Sequence, residues 1–478
     1  MNTRKTYLFL FSLLLTLGVL LNFTLTTDAH AETKEKYIIG TDVTFAPFEF
    51  QDANNNFVGI DMDLLNAIAE DQGFEVEIKP LGFNAAVQAL QADQVDAVIA
   101  GMSITDERKQ TFDFSDPYFE SGVVMAVADT NDTIKSYEDL KGKTVAIKTG
   151  TEGATFANSI KDKYGFKVST FDDSANMYEA VKAGSADAAF EDYPVMAYAI
   201  TQNAPLKLVG EKEKGGQYGF AVNKGQNPEL LTKFNNGLTN LKNSGKYKEI
   251  TEKYLGEEKT EKQSIFALVK ENYKQLLSGL GTTLFVTLVS IAIASVLGIL
   301  FGLMSVSPSK ILRGISMVYV DIMRGIPMMV LAFFVFFTIP QLLGIKMVAT
   351  IAAIIVLSLN AGAYIAELVR GGINAVDKGQ LEAARSLGLP YSKAMRKIIL
   401  PQAIKIMIPS FINQFVITLK DTTILSVIGL VELTQSGKIV VARTYDSNMW
   451  FVIAFIYIVV ITALTRISNR IERRVNNG

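Results

Sequence analysis

From Lys36 to Leu255 the chain alternates short apolar runs with amphipathic stretches of helical period, the pattern of an α/β domain. One helix opens at Ile60-Asp61-Met62-Asp63, carries Leu64, Leu65 and Ile68 on one side, and is closed by Gly73. Further on, ALQADQVDAVIAG (Ala89–Gly101) aligns without gaps on AVKAGSADAAFED (Ala180–Asp192). Each copy reads helix end, turn, aspartate, strand, which predicts two similar lobes. The echo also puts Gly101 and Asp192 at equivalent strand ends, where open α/β sheets bind ligands. Ser121–Asp129 and Gln217–Asn223 are the expected connections between the lobes.

The pattern changes after Leu255. A polar tether at 257–263, within GEEKTEKQ, spans at most about 28 Å extended and roughly 15 Å as a coil. Ile265, Phe266, Leu268, Val269, Tyr273 and Leu276 then repeat at helical spacing, as in a helix lying on a membrane surface. Five apolar spans follow: Gly279–Met304, Ile315–Ile339, Met347–Ala366, Ile406–Leu430 and Met449–Leu464. Each is close to the length a bilayer needs. The second is broken near its start by Asp321, Arg324, Gly325 and Pro327. At the other end of the chain, Arg4 and Lys5, an apolar stretch from Tyr7 to Leu21 and Ala29-His30-Ala31 read as a secretory signal over residues 1–31.

Charge separates the same two halves. Glu32–Glu258 holds 22 Lys+Arg against 37 Asp+Glu, a net of −15, whereas Lys259–Gly478 holds 22 against 10, a net of +12. Basic residues gather in the first loop (Lys310, Arg313), the third loop (seven, from Arg370 to Lys405) and the tail (Arg466, Arg470, Arg473, Arg474). The intervening loops hold only Lys346, Lys438 and Arg443. This asymmetry places the acidic domain outside the cell and the C-terminus in the cytoplasm. There is no cysteine, and the single histidine, His30, lies in the expected signal. Disulfides, zinc-thiolate sites, histidine metal sites and Ser-His-Asp or Cys-His catalysis are therefore excluded from the mature chain.

GTDVTFAPFEF (Gly40–Phe50), GMSITDER (Gly101–Arg108) and DFSDPYF (Asp113–Phe119) resemble the polar-amino-acid binding proteins of bacterial uptake systems, the glutamine-binding kind in particular. The likeness covers about Tyr37 to Gly256 and implies a two-lobed, periplasmic-binding-protein-like α/β domain of type II over 32–256. Its ligand is a zwitterion, and burying one requires a partner for each charge. The motif assigns Arg108, a planar fork, to the carboxylate, with a further donor near Thr151 and Glu152. It assigns Asp192 to the ammonium, helped by the Gly101 carbonyl and the Ser103 hydroxyl. Phe45 and Phe83 would sandwich the aliphatic part of the ligand. Asp42, Lys148 and Glu191 would set selectivity, Lys148 matching a lysine typical of glutamine binders and repelling cationic ligands. Glu191 departs from that pattern, which has an imidazole beside the aspartate. The plain alternatives are an inter-lobe surface ion pair for Arg108 and Asp192, and ordinary core packing for the two phenylalanines.

In the apolar half, EAARSLGLPYSKAMRKIILPQA (Glu382–Ala403) resembles the coupling loop of ATP-binding-cassette importer permeases, and YIAELVRGGI (Tyr364–Ile373) is typical of their amino-acid branch. The resemblance implies an all-α, five-span permease domain over 264–478. Glu382, Ala383, Ala384 and Gly388 would dock a short helix on a cytoplasmic ATPase subunit. Lys420 and Asp421 read as a mutual or inter-subunit pair at a helix break. GKT (Gly142–Thr144) lacks the first glycine of a phosphate loop, Tyr137 standing there, so ATP is expected on the partner subunit. Importer permeases have two halves, which implies a homodimer or a similar partner. A glutamate-receptor-like ligand-gated channel shares the two-lobed fold but inserts its pore between the lobes; here every span follows the intact domain and no TVGYG-like filter occurs. An extracellular enzyme on a membrane anchor would need neither five spans nor a coupling loop.

Overall fold

The computed structural model describes residues 34–255 and 264–476. The expected leader and tether lie outside the described residues.

The acidic half forms two lobes, each built on a five-stranded sheet. In spatial order the first sheet runs Glu75–Pro80, Lys36–Thr41, Ala97–Val98, Ala221–Asn223 and Phe112–Phe114. The second runs Lys167–Phe171, Thr144–Lys148, Ala188–Asp192, Phe119–Ala128 and Leu206–Tyr218. In both, the first three strands are parallel and the fourth is antiparallel to the third.

The internal echo is structural down to single hydrogen bonds. Asp93 and Gly184, aligned in the two copies, both turn the chain with positive φ, 54° and 73°. Three residues on, Asp96 accepts the backbone N–H of Ile38 at 2.8 Å, and Asp187 accepts that of Thr144 at 2.9 Å. Each aspartate thus ties the third strand of its sheet to the second. The turn needs a left-handed residue and the strand start needs an acceptor, which is why these two positions carry the repeat.

One expected lobe connection is corrected. Ser121–Asp129 is no linker, because GVVMAVA is a buried strand of the second sheet, and the first crossing lies upstream at Ser115–Tyr118. The second crossing, between Tyr218 and Ala221, falls where expected. The two crossings are bonded to each other, Tyr118 N–H to the Tyr218 carbonyl at 3.0 Å and Ser115 N–H to that of Phe220 at 2.8 Å. Paired crossings of this kind form a hinge.

In the basic half, four helices among the described residues are long and apolar enough to cross a membrane. A fifth span is reached only by counting Lys310–Gly325 and Met328–Leu343, bent 102° to each other, as one. The bend sits at Pro327, which lacks an N–H and restricts Ile326 before it. No separate surface helix begins at Ile265: a single helix of 41 residues runs Ile265–Ser305. Gly279 does not break it; a Cβ there would stand 2.2 Å from Ser436 Oγ, so this glycine serves close approach of the Leu433–Thr444 helix. Gly298 and Gly302, one turn apart, likewise let the helix meet Ile365 and Val369 of Ala349–Asn374, where added Cβ atoms would lie 2.4 and 2.5 Å away. Lys420 and Asp421 do end a helix at a break, Leu400–Asp421 giving way to a 3₁₀ turn, but among the described residues no ion pair joins them.

The two-lobed domain rests on the helical one. Lys346 pairs with Asp96 at 2.7 Å, Gln94 exchanges hydrogen bonds with Ile345 and Met347, and Lys79 donates to the Met347 carbonyl at 3.1 Å. These contacts hold the first lobe. The second is held by Lys438 on Asp173 at 3.0 Å and Lys182 on Ser447 at 2.9 Å.

Candidate functional site

The carboxyl ends of the parallel strands converge between the lobes. Asp42 follows Lys36–Thr41, Gly101 follows Ala97–Val98, Lys148 ends Thr144–Lys148 and Asp192 ends Ala188–Asp192. Phe45, Phe83, Gly101, Ser103, Arg108, Lys148, Thr151 and Asp192 line one narrow cleft there, together with Ala100, Gly150 and Glu152. Eight of the ten ligand residues expected from the sequence are therefore brought together. Asp42 and Glu191 stand behind Lys148 and Asp192 and do not line the cleft.

Arg108 opens a short helix, and its guanidinium donates to the Ser103 carbonyl at 2.9 Å and, across the cleft, to the Gly150 carbonyl at 2.6 Å. It lies 5.2 Å from the Phe83 ring centre, and burial lowers its pKa. Beside it Thr151 caps the helix Glu152–Tyr164, accepting the Ala154 N–H at 3.3 Å, so the positive end of a helix dipole faces the cleft. Arg108 and Asp192 form no ion pair with each other, which removes the surface-pair explanation.

Asp192 comes from the opposite lobe. One oxygen accepts the Tyr218 hydroxyl; the other, Oδ1, is buried and accepts no hydrogen bond from the described residues. Burial pushes this carboxyl up to about 7, the neighbouring Glu191 charge adding to the effect and the Tyr218 bond opposing it. Gly101 faces it with φ +52°, and a Cβ there would fall 2.6 Å from the Phe45 ring. Conformation and space both demand glycine at this point.

Lys148 and Asp42, each 2% exposed, pair at 2.7 Å across the lobes. Burial works against both charges, yet their mutual attraction wins: Asp42 is held below the usual carboxylate range and Lys148 above its ordinary value. The Lys148 ammonium also lies 4.5 Å from the Phe45 ring centre and 5.9 Å from that of Phe83. Glu191 turns away from the cleft, accepting Ser174 Oγ at 2.7 Å, the Tyr178 hydroxyl at 3.3 Å and the Asp192 N–H at 3.0 Å. Its carboxyl is raised by burial, against the pull of Lys148.

Several supporting residues escaped the sequence reading. Asp61, seen only as a helix opener, accepts the Gly101 N–H at 2.9 Å and the Tyr118 hydroxyl at 2.7 Å. Glu49 is buried nearby and its carboxyl is driven well above normal, by burial first and by Asp61 next. An acidic residue inside the aromatic run TFAPFEF was the available signal.

In the helical half, Lys378–Ser386 carries Glu382 and Ala383 exposed and Ala384 buried. Gly388, at φ +83°, turns the chain before Pro390. Leu387, not singled out in the sequence, is 84% exposed at the tip of this knob.

Comparison with known proteins follows the same division. Residues 37–257 match the family described as bacterial extracellular solute-binding proteins, family 3, and residues 294–477 match the binding-protein-dependent transport system inner membrane component. The arginine transport system permease protein ArtQ of Bacillus subtilis (strain 168) is 38% identical over 42% of this chain and 93% of its own length. The arginine-binding extracellular protein ArtP of the same organism is 32% identical over 52% of this chain and 98% of its own. The glutamine transport system permease protein GlnP of Escherichia coli (strain K12) is 33% identical over 42% of this chain and 92% of its own. Nothing in these likenesses favours the receptor-channel alternative. The chain is a membrane transport protein rather than an enzyme, and it belongs to the amino-acid ABC transporter family, with a family 3 solute-binding domain and an inner-membrane permease domain in one polypeptide.

Proposed function

We propose that this chain is the substrate-binding and permease subunit of an ATP-driven importer for glutamine or a related polar amino acid. Arg108 takes the carboxylate, aided by the helix end at Thr151. Asp192 takes the ammonium, with the Gly101 carbonyl and the Ser103 hydroxyl. Phe45 and Phe83 flank the aliphatic stem, Lys148, backed by Asp42, faces the far end, and Glu191 acts from behind the cleft through the Asp192 N–H. The observation that carries this reading is Asp192 Oδ1, a buried carboxylate oxygen without a donor, in a cleft whose other lobe supplies a guanidinium. A buried anion of that kind calls for a cationic partner.

The importer reading extends to the whole chain. Residues 1–31 act as an export signal, the binding domain lies outside the cell, and the tether keeps it at roughly millimolar effective concentration over the permease. Two permease halves pair, as a homodimer. A separate cytoplasmic subunit hydrolyses ATP, engaged by Glu382, Ala383, Ala384 and Gly388, and the C-terminus is cytoplasmic.

Arginine is the second candidate ligand, favoured by one observation. Lys148 is neutralised by Asp42 at 2.7 Å, so it does not stand free to repel a cationic side chain. Calorimetry of the full chain in detergent against all standard amino acids tests both. Glutamine binding with arginine excluded supports the first ligand, arginine binding supports the second, and no amino acid binding at all refutes the function.

A further inference from the structure

The helix Ser174–Lys182 stands between Glu191, behind the ligand cleft, on one side and the permease on the other. Towards the cleft, Ser174 and Tyr178 both donate to Glu191 Oε2, and Glu191 Oε1 accepts the N–H of Asp192. Besides its strand pairing with Val123, the backbone at the ammonium-binding position is thus tied through Glu191 to this helix.

On its outer side the helix is gripped at three points along its length. Asp173, its N-cap, takes the ion pair from Lys438. The Tyr178 ring lies 5.8 Å from that of Tyr445. Lys182, in its last turn, donates to Ser447. Ala175, buried, joins an apolar cluster with Leu433, Val440, Val441 and Met449 of the permease. Over nine residues a helix is a rod about 13 Å long, and gripped at both ends and the middle it moves as one body.

Tyr445 has a second unusual property. It ends the helix Leu433–Thr444 with φ +51°, a left-handed conformation that a tyrosine adopts only at a cost of roughly 1–2 kcal/mol. Asparagine or glycine would make this turn without that cost, so a demand other than the turn accounts for the aromatic ring. Among the contacts the ring makes is one with Tyr178, which donates to Glu191.

We propose that Tyr445 is a positioning residue through which the permease acts on the binding cleft, along Tyr445, Tyr178, Glu191 and Asp192. The proposal rests on the reading of Asp192 as the ammonium partner. Displacement of the Leu433–Thr444 helix when the permease changes state would shift the Ser174–Lys182 helix and loosen Asp192, so that release of the amino acid follows the permease and not the lobes alone.

The absence of cysteine from the chain makes the contact directly testable. Lys182→Cys with Ser447→Cys should be joined by a short bismaleimide in membranes, with Tyr445 present or replaced by Ala. In vesicles with the ATPase subunit, Tyr445→Ala should leave the glutamine Kd within about threefold, while amino-acid-stimulated ATP hydrolysis falls about tenfold or more. Tyr445→Phe keeps the ring and should restore stimulation. Stimulation within about twofold of the parent in Tyr445→Ala, or no recovery in Tyr445→Phe, overturns the proposal. Absence of the cross-link overturns it as well, and leaves the importer reading standing. A parent chain that cross-links but binds neither glutamine nor arginine instead refutes the ligand reading and, with it, the relay.

Discussion

Lys148 and Asp42 meet 2.7 Å apart across the two lobes, both almost wholly withdrawn from water. A buried pair of this kind contributes little net stability but is costly to halve, because the remaining charge has no water to return to. Asp42→Asn should destabilise the binding domain by about 3–5 kcal/mol, and Asp42→Asn with Lys148→Met should recover most of that loss. Thermal unfolding of the variants checks this. A single variant as stable as the parent would show that Glu191 alone satisfies Lys148.

The zwitterion clamp makes a sharper demand. Arg108→Ala removes the guanidinium that reaches both Ser103 and Gly150, and should weaken amino-acid binding by at least about 3 kcal/mol, more than a hundredfold. Asp192→Asn should cost a similar amount for every ligand alike, since all share the ammonium. Near-normal affinity in either purified variant removes that residue from the clamp.

Proton linkage tests Asp192 independently. Burial, with the Glu191 charge beside it, pushes its carboxyl up to about 7, above the ordinary value. A raised carboxyl gives the folded state extra stability below the unfolded pKa of about 3.9, and that contribution is lost as the pH rises towards 7. Ligand binding runs the opposite way, because an ammonium needs the ionised carboxylate. Affinity should fall about tenfold per pH unit below 7, with close to one proton released on binding at pH 6. Calorimetry in two buffers of different ionisation enthalpy measures the release. Affinity that stays flat from about pH 5.5 to 8 would contradict the assignment.

Gly388 carries the coupling prediction. Its φ of +83° suits glycine, and a β-branched residue there is strained by about 1–2 kcal/mol or forces the turn open. Gly388→Val should leave ligand affinity unchanged and abolish stimulated ATP hydrolysis and uptake in vesicles containing the ATPase subunit. Uptake at the parent rate would show that this turn is not the coupling element.

The close helix contact at Gly302 offers a structural control. A Cβ there would stand 2.5 Å from Val369, so Gly302→Val should separate the Ile265–Ser305 and Ala349–Asn374 helices and lower the yield of folded permease in the membrane. The soluble domain should still bind ligand. Wild-type yield and transport would mean the helices slide past one another to make room.

The sequence by itself determined whatever depends on neighbours along the chain. Alternating apolar runs specified the α/β half, long apolar spans the helical half, and the Asp93 and Gly184 turns marked the two lobes. Arg108, Asp192, Gly101 and the Gly388 turn were legible because their chemistry or backbone conformation admits few substitutes. Tertiary structure decided the rest. Asp42 and Lys148 lie 106 positions apart, and nothing local shows that they neutralise each other. Glu191 sits beside Asp192 in sequence, yet alternation along the strand turns it away from the cleft, towards Ser174 and Tyr178. The Ile265–Ser305 helix runs on where a surface helix was expected, because Gly279 is used for packing against Ser436 and not for a turn. Tyr445 reads locally as an ordinary polar-loop residue. Only the docking of one domain on the other brings its ring to Tyr178. Local propensity is set by a few residues, whereas charge pairing, helix approach and domain contact are set by atoms that the chain brings together only once it has folded.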